Sequence, residues 1–85
     1  MGSTSVASSA NEETVRLVRL SARQRQVLDL IVDGYTEVEI ATLIGISPRT
    51  VRMHSDVLRT KLGVGRRRQL PLAYRRLHEL GLVSD

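Results

Sequence analysis

Cysteine is absent from the chain, which excludes disulfides and thiolate zinc sites. Phenylalanine and tryptophan are absent too, and the two tyrosines are Tyr35 and Tyr74. A core must therefore be built from Leu, Val, Ile and Ala, a composition that favours packed helices over a sandwich or barrel. No apolar run approaches the roughly 20 residues that cross a bilayer, and the N-terminus lacks the apolar stretch of a signal peptide. A cytoplasmic protein with no membrane partner is the expectation. With 85 residues there is room for one small domain, and none for an active-site cleft between two lobes.

What is present is unevenly distributed. Up to residue 46 four arginines stand against six carboxylates, whereas residues 47 to 76 carry Arg49, Arg52, Arg59, Lys61, Arg66, Arg67, Arg68, Arg75 and Arg76 against Asp56 alone. A solubilising surface mixes both signs, so a segment this basic points to a polyanionic partner. All but one of its cations are arginine, whose planar fork suits phosphates and guanine edges better than an ammonium does.

The first 15 or so residues, MGSTSVASSANEETV, are rich in Ser, Thr and Ala and hold too little apolar surface to fold alone. Residues 1–19 read as a disordered leader or linker and residues 20–85 as the folded domain. Ser21 followed by Gln24 forms a capping box, and Val27, Leu28, Leu30 and Ile31 recur at helical spacing, so a first helix is expected over Ala22 to Asp33. Gly34 stops it. Thr36 and Glu39 form a second capping box for a short helix carrying Val38, Ile40, Ala41 and Ile44, which Gly45 ends. Ser47 and Pro48 supply the N-cap and first residue of a third helix that runs to Gly63. Leu70, Ala73, Tyr74, Leu77 and Leu80 mark a fourth, which should begin near Pro71 or kink there, because proline has no amide proton to give to a helix interior.

A short helix, a tight glycine turn and a second helix entered through Ser-Pro are the parts of a helix-turn-helix. On the third helix Val51, His54, Leu58 and Leu62 fall on one stripe, expected to face the core. The complementary face shows Arg49, Arg52, Met53, Asp56 and Arg59. In a DNA-binding helix-turn-helix this helix lies in the major groove with its N-terminal half against base edges, which puts Arg52, Met53 and Asp56 deepest. Met53 there can meet a thymine methyl, and Asp56 either accepts from cytosine N4 or pairs with Arg52 or Arg59 on its own helix. Arg66 to Arg68, next to that helix, suit phosphate contact.

These residues resemble the LuxR/GerE-type DNA-binding domain. The likeness rests on LSARQRQVLDLIVDG from Leu20, EIA from Glu39 to Ala41, ISPRTVRMH from Ile46 to His54 and KLGV from Lys61 to Val64. It implies an all-α, four-helix bundle containing the helix-turn-helix, and a bacterial transcription factor associated with the nucleoid. It further implies base reading at the positions of Arg52, Met53 and Asp56, a phosphate contact from Thr50, and a homodimer formed through the fourth helix. Arg49, Thr50, Arg59, Lys61, Arg66, Arg67 and Arg68 are the expected phosphate set, and Leu72, Arg76 and Leu80 the dimer set. RNA polymerase and an N-terminal sensor or receiver domain are the further partners such a domain suggests. The chain departs from the family pattern at Gln24, where Glu is usual and forms an ion pair, at Val38 and Asp56, where basic residues are common, at Arg66, where an Asn or Ser cap is usual, and at Pro71.

Two other readings use the same scaffold. One is a protein-interaction module whose basic face takes an acidic partner. The other is a sigma-factor-like promoter reader that needs core polymerase. An enzyme is not expected, nor any cofactor or metal: His54 and His78 have no ligand set at metal spacing, and GVGRRR from Gly63 to Arg68 lacks the Gly-Lys-Ser/Thr ending of a phosphate loop.

Overall fold

A computed structural model of the chain describes residues 17–84. Most of the expected leader, residues 1–16, lies outside the described residues, as does residue 85. The described structure begins earlier than Leu20: Val18–Arg19 form a short strand, β1, paired in parallel with β2, Val83–Ser84, in the register Val18 to Val83 and Arg19 to Ser84. The Val18 amide donates to the Leu82 carbonyl at 2.6 Å. Between these strands lie four helices, α1 (Ala22–Val32), α2 (Glu37–Ile44), α3 (Pro48–Leu62) and α4 (Leu70–Glu79), with a single 3₁₀ turn at Arg67–Gln69 before the last.

Local chemistry sets each boundary. Ser21 Oγ accepts from the Gln24 amide while Gln24 Oε1 accepts from the Ser21 amide, and Thr36 and Glu39 repeat the exchange at the start of α2. Both boxes satisfy amides that the first helical turn leaves without partners. At the start of α3 the Ser47 hydroxyl accepts from the Thr50 amide at 3.1 Å and contacts the Thr50 hydroxyl at 2.9 Å. Gly45 closes α2 with φ of +71°, a region that a residue with a Cβ enters at a cost of roughly 1–2 kcal/mol. The reversal lets the Ile46 amide reach the Ala41 carbonyl at 3.1 Å and aims α3 across α2.

Helix α4 starts at Leu70, so Pro71 sits in its first turn, where no intrahelical partner waits for the missing amide proton. The helix begins one residue before the proline, so the proline marks its start. Arg66 makes no side-chain cap; Gln69 does this work, its Oε1 accepting from the amides of Gly65 and Arg66 at 3.1 and 2.9 Å.

The core is aliphatic. Val27, Leu28 and Ile31 of α1, Ile40 and Ala41 of α2, Val51, Leu58 and Leu62 of α3 and Leu70 of α4 are buried together with Leu20. Each fully buried Leu, Ile or Val stabilises the fold by roughly 1.5–3 kcal/mol. Tyr74 brings α4 onto α1, with the Arg25 guanidinium 5.8 Å from its ring centroid. One expectation about α3 needs correcting: the fourth member of its core stripe is Ser55, 4% exposed, and not His54, which is half-buried. At about 100° per residue, position 55 points within about 20° of Leu62, whereas position 54 points about 40° beyond Leu58 on the other side of the stripe. Ser55 Oγ has no hydrogen-bond partner among the described residues.

Candidate nucleic-acid interface

The packing of α3 decides which of its side chains face outward. With Val51, Ser55, Leu58 and Leu62 buried, Arg49, Arg52, Met53 and Asp56 are exposed on the opposite side, and Met53 shows 60% of its surface. An apolar side chain this exposed amid charge has no packing role that the structure shows. The residues expected to read bases thus share one open face of one helix.

Two ion pairs organise that face. Arg52 Nε donates to Glu37 Oε2 at 3.2 Å, linking α3 to the first residue of α2. Asp56 is paired with Arg59 one turn on, and Arg59 Nη1 also donates to the Gly65 carbonyl at 2.9 Å. Of the two roles open to Asp56, the structure displays the intrahelical pairing.

The cations expected at phosphates fall into two groups. Arg49, Arg66 and Arg68 are exposed, and their side chains make no hydrogen bond or ion pair among the described residues. Arg59, Lys61 and Arg67 hold the domain together. Lys61 Nζ donates to the Arg19 carbonyl and to Gln24 Oε1, both at 2.8 Å, and half-buried Arg67 donates through Nη2 to the Tyr35 carbonyl at 2.9 Å. Thr50, half-buried in the first turn of α3, has its hydroxyl against Ser47. The side-chain amide of Gln24 meets Lys61 with a neutral acceptor.

Leu72 and Arg76 of α4 and Leu80 at its C-cap recur every four residues; Leu72 is 52% and Leu80 70% exposed. Among the described residues no three His, Cys, Asp or Glu side chains gather as metal ligands would, and no helix is long and apolar enough to cross a membrane.

Glu37 was not among the residues singled out from sequence. It lies fifteen positions from Arg52, and the partnership depends on the crossing of two helices. The only signal in the sequence is an acidic residue opening the helix that precedes a basic one.

A helix-turn-helix with an open, arginine-bearing second helix defines the class of module. The model of the family described as "Bacterial regulatory proteins, luxR family" (GerE) matches residues 18–73; the chain belongs to this family. Its relatives include the probable transcriptional regulatory protein SgaR of Hyphomicrobium methylovorum, 43% identical over 51 residues, covering 60% of this chain and 24% of that protein. The transcriptional regulatory protein FixJ of Azorhizobium caulinodans is 45% identical over 47 residues, 55% of this chain and 22% of its own length. The HTH-type transcriptional regulator MalT of Yersinia pestis is 36% identical over 72 residues, 84% of this chain and 8% of its own. The chain thus matches a quarter or less of each of these curated relatives. The solved structure of the transcription factor GerE is similar with a TM-score of 0.62 at 37% identity, covering 76% of this chain and 92% of that chain.

Proposed function

We propose that this domain binds duplex DNA sequence-specifically, with α3 in the major groove, as a transcriptional regulator or the DNA-binding part of one. The observation that carries the reading is the two-sided character of α3: Val51, Leu58 and Leu62 are buried while Arg49, Arg52 and Met53 face outward. Arg52, Met53 and Asp56 read base edges. Arg52 is suited to guanine and Met53 to a thymine methyl, and Asp56 accepts from cytosine N4 once it leaves Arg59. Arg49, Arg66 and Arg68 supply the principal phosphate contacts. Thr50 and the N-terminus of α3 add a neutral one, and Arg59, Lys61 and Arg67 add positive potential.

In this reading the role is regulatory and not enzymatic, and the site of action is the bacterial cytoplasm at the nucleoid. Two copies on an inverted repeat meet through Leu72, Arg76 and Leu80 of α4. An N-terminal sensor or receiver domain would deliver its signal through the segment that leads into β1, and RNA polymerase is the partner through which regulation is exerted.

The test is DNA binding by this chain at a series of salt concentrations. With phosphates neutralised by three arginines, and by up to six cations if Arg59, Lys61 and Arg67 take part, log K against log salt has a slope of about −3 to −5, doubled for a dimer. An affinity independent of salt would reject the mechanism.

A further inference from the structure

We propose that Glu37 is a specificity-determining residue of this domain, one that acts by positioning Arg52. The inference rests on the base-reading role of Arg52 proposed above, and adds a second residue, on a different helix, that fixes how Arg52 meets the base.

The hydrogen bond is made through one nitrogen. Glu37 Oε2 accepts from Arg52 Nε at 3.2 Å, and among the described residues neither terminal nitrogen of Arg52 donates a hydrogen bond. A guanidinium held at Nε keeps its Nη1 and Nη2 edge available, and that edge matches the O6 and N7 acceptors of guanine. An arginine without such a hold samples many rotamers and loses that freedom on binding. Held from α2, it presents the fork already oriented. Glu37 is the more enclosed partner, its side chain 29% exposed against 68% for Arg52, so the carboxylate is the fixed post and the guanidinium the reaching group.

Position matters as well as pairing. Glu37 is the first residue of α2, where a carboxylate is favoured by the helix dipole and costs the fold little. On DNA the same negative charge repels phosphate. A residue that only strengthened binding would not be acidic at this edge. A carboxylate that lowers affinity for every sequence, and restores it where Arg52 finds a guanine, raises the ratio of specific to random binding.

The test is a double-mutant cycle on DNA. The probes are the duplex recovered from a random pool by this chain, the same duplex with the guanine assigned to Arg52 replaced, and a random duplex. Glu37→Gln is expected to bind random DNA somewhat more tightly, and to lose discrimination at that one base pair by about two- to fivefold, the range an exposed ion pair of this kind can hold. In an Arg52→Ala background the same change should leave discrimination unaltered. Glu37→Asp keeps the charge and the helix end but shortens the reach, and should lose discrimination as Glu37→Gln does, with thermal unfolding unchanged.

If Arg52→Ala abolishes discrimination but Glu37→Gln changes none of it, or changes it equally without Arg52, the positioning role is overturned while base reading by Arg52 stands. Full discrimination by Glu37→Asp would overturn it equally, leaving charge alone as the determinant. If Arg52→Ala itself keeps discrimination, the reading on which the inference rests fails, and the inference with it.

Discussion

Gln24 Oε1 lies 2.8 Å from Lys61 Nζ, so the capping amide at the start of α1 also receives the last turn of α3. The same ammonium reaches the Arg19 carbonyl at 2.8 Å, which ties three chain segments at one point. Lys61→Met should therefore cost about 1 kcal/mol of stability, the net worth of a charge-assisted but exposed contact. In a domain of this size that lowers Tm by about 4–8 °C. Thermal unfolding followed by circular dichroism checks it, and base preference should not change.

Ser47 carries the entry to α3. Its hydroxyl accepts the Thr50 amide, and Ser47→Ala should destabilise the domain by about 1 kcal/mol, with Ser47→Gly costing only a few tenths. Because Arg49 and Arg52 lie within the turn or so that the cap holds, affinity for DNA should fall along with stability. Urea denaturation of the two variants separates a capping effect from a packing effect.

The arginine run after α3 divides by role. Arg68 is exposed with no internal bond among the described residues, whereas Arg67 is half-buried and bonded to the Tyr35 carbonyl. Arg68→Ala should reduce the magnitude of the salt slope by about 1 and weaken all sequences alike, with stability unchanged. Arg67→Ala should lower stability as well. Binding isotherms across a salt series, paired with unfolding curves, distinguish the two.

Leu80, at the C-cap of α4, is 70% exposed, so Leu80→Glu should alter monomer stability by no more than about 0.5 kcal/mol. If α4 forms the dimer seam, the same change should convert two-copy complexes on an inverted repeat into one-copy complexes. Sedimentation of protein and labelled duplex reads the stoichiometry directly.

Most of the helical framework was legible because its boundaries are written in local chemistry. Ser21 with Gln24 and Thr36 with Glu39 satisfy amides within one turn, Ser47 satisfies the Thr50 amide while Pro48 has no amide proton to satisfy, and Pro71 admits a helix only in its first turn. What was not legible depends on tertiary approach. Ser55 occupies a core position that its polarity disguises, and the β1 to β2 ladder joins residues from opposite ends of the domain through two-residue strands. In the candidate interface, the outward direction of Arg49, Arg52 and Met53 followed from helical periodicity. That Lys61 and Arg67 are turned to backbone carbonyls, and that Glu37 holds Arg52, follows only from how the elements cross. Charge in the sequence marked a basic segment without dividing it between surface and scaffold.

The central claim is that the outer face of α3 reads a DNA sequence. Selection from a pool of random duplexes, carried out at moderate salt with the chain and with its Arg52→Ala variant, addresses it most directly. The account predicts an enriched site, in one copy or as an inverted repeat, containing a guanine whose preference disappears in the variant. Retention of duplexes without enrichment, or the same enriched site from both proteins, would contradict it.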